Sequence, residues 1–191
     1  MQSQAVLDFW FGRPGDAGHG APRAEWFRKD AGFDATIAQR FGALIEQALA
    51  GGIDDWAGTP DGALARLIVL DQFTRNVFRD TARAFSGDTQ ALAGAQRMVD
   101  EGADRKLLPV QRLFVYLPFE HAESLVMQQE SLRLFGQLAA DDPARADLLD
   151  WARKHHDVVA GFGRFPHRNQ ALGRPSSAEE IEFLAQPGSR F

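Results

Sequence analysis

The chain has 191 residues, 45% of them hydrophobic and 25% charged, which is the balance of an ordinary globular protein. It contains no cysteine, so disulfides, thiolate zinc sites and cysteine nucleophiles are excluded, and its net charge of −5 argues against general nucleic-acid binding. Because no aliphatic run could cross a bilayer and residues 1–11 lack the pattern of a secretory signal, we expect a cytoplasmic protein with neither nucleic-acid nor membrane partners.

The first part of the chain is predicted to be helical. Apolar residues recur at three- and four-residue steps, and the alternating β-branched runs that indicate strands are absent. Short helices are expected at 3–11 and 23–29, with His19 exposed in the Gly/Pro-rich loop between them. A longer helix is expected to begin at Asp34, a plausible N-cap, and to end at the Gly51-Gly52 pair.

The central helix carries a clear start signal, because Thr59 offers a cap and Pro60 follows in the first turn. The helix is predicted to run to about Phe78 and is apolar almost all round, so we expect it to be buried. Asp88 begins the next helix, which is expected to end near Gly102.

The second half of the chain continues the helical pattern. Pro109 begins a helical stretch that we expect to break at Leu117-Pro118 and to resume over 119–138. Another helix is expected over 144–162, and Ser176-Ser177-Ala178-Glu179-Glu180 offers overlapping capping boxes for a last one. The predicted fold is therefore all-α, a single compact domain over residues 1–191 built of antiparallel helical hairpins.

Two charged residues interrupt the apolar face of the central helix. At about 100° per residue, Asp71 and Arg75 fall on the same stripe as Leu64 and Ile68. Burying such charges is costly unless they are paired and hydrogen-bonded. Either the two residues form an internal salt bridge, or Asp71 orients Arg75, with Asn76 beside it, to bind an anion.

A second group of ionisable residues follows Pro118. Glu120 and Glu123 are expected on one helix face and His121 on another. The carboxylates and the histidine could perform acid–base catalysis, or they could belong to a satisfied buried network. Their spacing matches no metal-binding signature, so we predict no metal and no cofactor.

His155 is predicted to face the core, because it lies on a helical stripe with Trp151, Val158 and Phe162. A core histidine is usually a hydrogen-bonded structural residue, and the alternative is a catalytic or ligand-binding role.

The segment Phe162–Arg174 concentrates cationic donors in an otherwise acidic chain, and Pro166 keeps it from being helical. Its candidate ligand-binding residues are Arg164, His167, Arg168, Asn169 and Arg174. Some of them could cap carbonyls at the preceding helix end, but capping needs only one or two cations. The surplus favours an anion site, unless the partners are acids of the chain itself, namely Asp71, Glu120 and Glu123.

Three motifs carry a family resemblance that covers nearly the whole chain. They are Leu70-Asp-Gln-Phe-x-Arg-Asn76, Tyr116-Leu-Pro-Phe-Glu-His-x-Glu123 and Phe162-Gly-Arg-Phe-Pro-His-Arg-Asn169. In this order they resemble a widespread, uncharacterised family of small, mainly bacterial proteins. The resemblance implies a tetratricopeptide-like α-α superhelix and no established activity. The chain departs from the pattern at Thr74, usually proline, and at Ala122, usually serine.

Two functions are compatible with these patterns. The first is a small-molecule site, with or without catalysis, in which Arg75 and the histidines line one pocket. There Arg75, Arg164, His167, Arg168 and Asn169 would bind a phosphate or carboxylate, and Glu120, Glu123, His121 or His155 would exchange protons. The alternative is a non-enzymatic, tetratricopeptide-like module that holds an acidic or C-terminal peptide. The terminal Phe191 suggests that the chain's own end could occupy such a groove.

Overall fold

The structure, a computed structural model, describes residues 2–189, and all regular secondary structure within them is helical. The helices are α1 (Gln2–Phe11), α2 (Ala31–Leu49), α3 (Pro60–Leu67), α4 (Thr74–Val77), α5 (Asp88–Asp100), α6 (Pro109–Glu120), α7 (Leu125–Asp141), α8 (Asp147–Phe162) and α9 (Ala178–Leu184). The predicted all-α class is confirmed, whereas the tetratricopeptide-like superhelix stays a prediction. Phe191 lies outside the described residues. None of the described helices is both long and apolar enough to span a membrane.

The chain divides into two compact units. The first takes in the chain up to Arg79 together with Arg83–Pro118, and the second takes in Asp80–Ala82 and the chain from Phe119 onward. The expected single domain over residues 1–191 stays a prediction.

Aromatic side chains fill the core of the first unit. Trp10 stacks on Trp26 with ring centroids 6.0 Å apart and meets Phe114 edge-on at 5.5 Å. Phe73, from the central helix, lies edge-on to Trp10 at 5.6 Å. Such tilted and edge-on pairs are the arrangements that aromatic quadrupoles favour. The phenylalanine-rich composition is therefore used largely for packing.

The core of the second unit joins the end of α8 to the residues that follow it. Val158, Val159 and Phe165 are buried together, and Phe162 and Phe183 pack against them. Phe165 belongs to the residues that follow α8, and Phe183 belongs to α9. This core therefore packs the residues after α8 against α8 and α9.

The central helix begins as predicted, since the Thr59 hydroxyl accepts a hydrogen bond from the Gly62 N–H at 3.1 Å. It then continues without interruption through α3, a π-helical stretch over Ile68–Phe73, and α4. Side chains throughout the π-helical stretch are buried, which confirms the expected burial. π-Helical turns are rare and often lie at functional sites.

Two predictions near the N-terminus were wrong. The N-cap of α2 is Asp30, whose carboxylate accepts from the N–H groups of Gly32 and Phe33, so Asp34 lies inside the helix. His19 is half-buried rather than exposed, because its Nδ1 lies 2.9 Å from the Gly12 carbonyl oxygen.

The predicted break at Leu117-Pro118 was also wrong. Helix α6 continues through Pro118 to Glu120, and the break lies at residues 121–124. The Gln128 amide explains this position, because its Nε2 donates to the carbonyls of Glu120 and Ala122 at 2.7 and 2.8 Å. Carbonyls that lose their helical partners at the end of α6 are thereby satisfied. Consequently Glu120 and Glu123 do not share a helix face.

Candidate functional site

In the first unit, the predicted Asp71–Arg75 pair is present. Arg75 Nη1 lies 3.1 Å from Asp71 Oδ1, and the Asp71 side chain is 2% exposed. The same guanidinium donates to both carboxylate oxygens of Asp88, at 2.8 and 3.1 Å. Burial opposes the charge of Arg75, but the two aspartates outweigh it and raise the pKa of Arg75. This arginine is held between two carboxylates of its own unit.

Asn76 has a different partner from Arg75. Its amide donates to Asp34 Oδ1 at 2.6 Å, and the Arg79 guanidinium donates to both oxygens of the same carboxylate. Asp34 therefore links α2 to α4 instead of capping α2. Thr74, where the family pattern has proline, donates from its hydroxyl to the Leu70 carbonyl at 2.7 Å.

In the second unit, two histidines and one arginine contact the Phe165 ring, and a third histidine lies beside one of them. We refer to His121, His155, His167, Arg168 and Phe165 as the histidine cluster. The His155 and His167 rings each lie 5.6 Å from the Phe165 ring, and the His121 ring lies 6.5 Å from that of His155. The Arg168 guanidinium lies 4.7 Å above the Phe165 ring. Arg168 is 6% exposed, whereas His121 and His167 are half-buried and so reach solvent.

The hydrogen-bond partners of His155 determine its tautomer. Its Nδ1 lies 2.9 Å from the Trp151 carbonyl oxygen and 3.3 Å from Glu120 Oε1. A carbonyl oxygen can only accept, so Nδ1 carries the hydrogen and Nε2 of the neutral ring carries the lone pair. Burial, opposed by the bond to Trp151 and assisted by the nearby basic side chains, lowers the pKa of His155 to about 3. The ring is consequently a neutral base beside a buried carboxylate.

Glu123 holds the start and the end of the Phe162–Arg174 segment together. Arg174 donates to both of its carboxylate oxygens, at 2.6 and 2.8 Å, and the Phe165 N–H donates to Oε1 at 2.8 Å. Partial burial would raise the pKa of Glu123, but these hydrogen bonds outweigh it and lower the pKa. The predicted rival partner Glu123 thus binds one of the loop arginines.

Glu180 engages a second arginine of the segment. Arg164 donates from Nε and Nη2 to the two oxygens of Glu180, at 2.7 and 2.8 Å, and Asn169 Nδ2 donates to Oε2 at 3.1 Å. The same carboxylate forms the capping box of α9 with Ser177. The hydrogen bonds from Arg164 are the main cause that lowers the pKa of Glu180 to about 2, against a smaller opposing effect of burial.

The predicted site residues therefore fall into two sets. Asp71, Arg75 and Asn76 lie in the first unit. The second unit contains Glu120, His121, Glu123, His155, Arg164, His167, Arg168, Asn169 and Arg174. The hypothesis that Arg75 joins the histidines in one pocket stays a prediction.

Sequence reasoning missed several partners. Asp88 was noticed only as a helix start and Glu180 only as a capping residue, although both receive a bidentate arginine. For Glu180 the capping box is a usable signal, because it fixes the carboxylate at the start of α9. Gln128 gave no signal of its function. Within residues 2–189, no three His, Asp or Glu side chains are arranged to hold a metal ion.

Comparisons with known proteins agree with the resemblance seen in the sequence. A family model described as "Bacterial protein of unknown function (DUF924)" matches residues 6–188. A solved structure of a protein of unknown function from Agrobacterium tumefaciens is 35% identical, with a TM-score of 0.84, over 96% of this chain and 97% of that chain. No curated protein matches the chain. The chain belongs to the bacterial DUF924 family.

Proposed function

We propose that the protein binds a small anionic molecule, a phosphate or a carboxylate, at the histidine cluster. The observation that carries this proposal is the placement of two imidazoles and the Arg168 guanidinium against the Phe165 ring, with the His121 ring 6.5 Å from that of His155. Imidazole and guanidinium are the side-chain groups that donate hydrogen bonds to phosphates and carboxylates. The half-buried His121 and His167 would meet the ligand, and Arg168 would supply fixed positive charge behind them.

The remaining arginines of the segment have a supporting role in this proposal. Arg174 and Arg164 are engaged by Glu123 and Glu180, and Asn169 bonds to both Glu180 and Arg174. They would hold the backbone that carries His167 and Arg168 in one conformation, which lowers the entropic cost of binding.

The Glu120–His155 pair gives the site its acid–base capacity. With Nδ1 of His155 committed to the Trp151 carbonyl, Nε2 is the basic atom, and Glu120 lies where it stabilises the ring as it takes up a proton. With a pKa of about 3 the free ring is a weak base at neutral pH, so His155 can accept a ligand's proton only when the negative charge of the bound anion raises that pKa. The absence of cysteine suits a reducing compartment, so we infer that the protein works in the cytoplasm.

Thermal unfolding with inorganic phosphate and with acetate tests the proposal. At a concentration about ten-fold above Kd, a ligand that binds only the folded state stabilises it by about 1.4 kcal/mol, which raises Tm by about 3–6 °C. His167→Gln should abolish this shift. His156→Gln is the matched control, since His156 follows the cluster residue His155 directly but bonds to the exposed Asp157. Equal shifts in both variants, or none in the unmodified protein, would refute the proposal.

A second candidate is the tetratricopeptide-like interaction module that recognises an acidic or C-terminal peptide. The observation that favours it is a set of exposed apolar side chains in the second unit. These are Leu125, Val126, Trp151 and Ile181, each 44–66% exposed. Apolar anchors beside basic groups suit a peptide with an acidic end. An acidic peptide that binds more tightly than phosphate and protects these side chains from solvent would favour this function over the first.

A further inference from the structure

The first unit contains a cleft of about 170 Å³ that belongs to neither set of predicted site residues. Its floor is apolar, formed by Ala63, Leu67 and Met98, all at most 9% exposed. Its rim is basic, formed by Arg66, Arg97 and Lys106. A cleft that joins an apolar floor to a basic rim is suited to a molecule with an apolar body and an anionic head.

The charges of the rim are available to a ligand to different degrees. One acid, Glu101, also lines the cleft, and it accepts a hydrogen bond from Arg97 at 2.9 Å. Both partners are more than half exposed, so their attraction is weak and a ligand carboxylate can replace Glu101. The Lys106 ammonium forms no hydrogen bond or ion pair with another residue in the described part of the chain.

Arg66 is the fixed member of the rim. Its side chain is only 12% exposed, and it donates to Asp54 Oδ1 from Nε and Nη2 at 3.1 and 2.8 Å. It also reaches the carbonyl and side-chain oxygens of Gln90 at 3.4 and 3.3 Å. These contacts hold Arg66 against the wall of the cleft in a single orientation, so little conformational freedom remains to be lost on binding.

A glycine keeps the wall of the cleft open beside Arg66. A Cβ at Gly94 would lie 3.1 Å from Leu67 Cδ2 and 3.2 Å from Arg66 Nη1, and so would crowd the point where floor and rim meet. Glycine in the interior of a helix destabilises it by about 1 kcal/mol relative to alanine. Close approach of α5 to α3 accounts for its presence here and preserves the shape of the cleft.

We propose that this cleft binds a small organic anion with an apolar body of about benzene's size. A dry cavity of about 150 Å³ admits benzene, so the volume fits such a body. The body would lie on Leu67 and Met98, and the carboxylate or phosphate head would meet Lys106 and Arg97. This site is independent of the histidine cluster, so either can fail without the other.

Benzoate is a suitable probe, with phenyl phosphate as the other anionic head and benzyl alcohol as the neutral control. Amide chemical-shift titration should place benzoate at Gly94 and Ala103 in the cleft. Because Lys106 and Arg97 are exposed, their variants should fold: Lys106→Gln is expected to weaken benzoate binding about five-fold, and Lys106→Gln with Arg97→Gln more than about ten-fold. Lys154→Gln, a lysine of the second unit, is the matched control and should change binding less than about two-fold.

Three results would overturn the proposal. Benzyl alcohol could bind as tightly as benzoate, Lys106→Gln could behave like Lys154→Gln, or the shifts could lie outside the cleft. Ala103→Leu adds a test of location, because a larger side chain in the lining should exclude the benzene ring while leaving the charges in place. Unchanged benzoate affinity in that variant would equally contradict the assignment.

Discussion

Replacing Arg174 with glutamine removes a set of hydrogen bonds that holds the Phe162–Arg174 segment. The guanidinium donates twice to Glu123, once to Asn169 Oδ1 at 3.0 Å and once to the Phe165 carbonyl at 3.2 Å. All four bonds are donated by a charged group, and a hydrogen bond to a charged group contributes about 1.5–3 kcal/mol. Both side chains of the ion pair are about a quarter exposed, so water recovers part of this energy.

We therefore expect Arg174→Gln to lower the free energy of unfolding by about 3 kcal/mol, which corresponds to a Tm about 6–12 °C lower. The part that belongs to the ion pair is isolated by a double-mutant cycle with Glu123→Gln. That substitution keeps an oxygen that can accept the Phe165 N–H bond. We expect a coupling energy of about 1.5 kcal/mol between the two positions.

Urea unfolding followed by circular dichroism measures these energies. Arg153→Gln is the matched control, because Arg153 forms an ion pair of similar length, 2.7 Å, with Asp150, but both partners are more than half exposed. Its loss should cost less than about 0.5 kcal/mol. A coupling energy between Glu123 and Arg174 within about 0.3 kcal/mol of zero would refute the reasoning, since a half-buried bidentate pair should show a measurable coupling.

Three further predictions concern backbone contact and pH. Gly87→Ala should destabilise the protein by about 3 kcal/mol or more in thermal unfolding, because the new Cβ would lie 2.1 Å from the Leu70 carbonyl oxygen. Gly136→Ala is the control and should be neutral or stabilising, because a Cβ at Gly136 would meet no atom within 4 Å. The pKa of His155 is about 3 in the folded state against an ordinary 6.5, so the unfolded chain takes up a proton that the folded protein does not. The free energy of unfolding is therefore highest above pH 6.5 and falls as pH drops towards 3. His155→Gln should flatten this dependence between pH 6.5 and 3. The pKa of Glu180 is lowered from 4.5 to about 2, so its contribution to the free energy of unfolding is present above pH 4.5 and is lost as pH falls towards 2. Glu180→Gln should not show this loss when stability is measured against pH in acid.

Local sequence signals predicted the helices well wherever the signal and its physical partner are close in the chain. The Thr59 hydroxyl accepts from the N–H of Gly62, three residues later, and Ser177 and Glu180 form a capping box within one turn. The sequence therefore predicted the start of both helices. The prediction of Asp34 as the N-cap of α2 was wrong because Asp30, also an aspartate and four residues earlier, forms the cap. The neighbouring residues do not show which of the two aspartates caps the helix.

The prediction failed where a distant residue decides the local structure. Pro118 suggested a break, but α6 passes through it and ends where Gln128 receives the last carbonyls. The π-helical stretch over Ile68–Phe73 has no sequence signature in its apolar pattern, which is compatible with either helical period.

The site divides in the same way between local and long-range effects. The sequence indicated the Asp71–Arg75 pair and the core position of His155. It could not assign Arg174 to Glu123, 51 positions away, or Arg164 to Glu180, because these pairings depend on tertiary structure. The loop cations that looked like a surplus are in large part balanced by acids of the second unit.

The double use of Glu180 has a consequence for how the C-terminal part of the molecule opens. Helix α9 has seven residues, too few to persist alone in water, and its first turn depends on the carboxylate that also clamps Arg164 and Asn169. Fraying of α9 therefore removes one of the two carboxylates that hold the segment carrying His167, and loosening of that segment weakens the first turn of the helix. The amide hydrogens of α9 and of this segment should therefore exchange with similar protection, so that the first turn of α9 and the backbone around His167 open together.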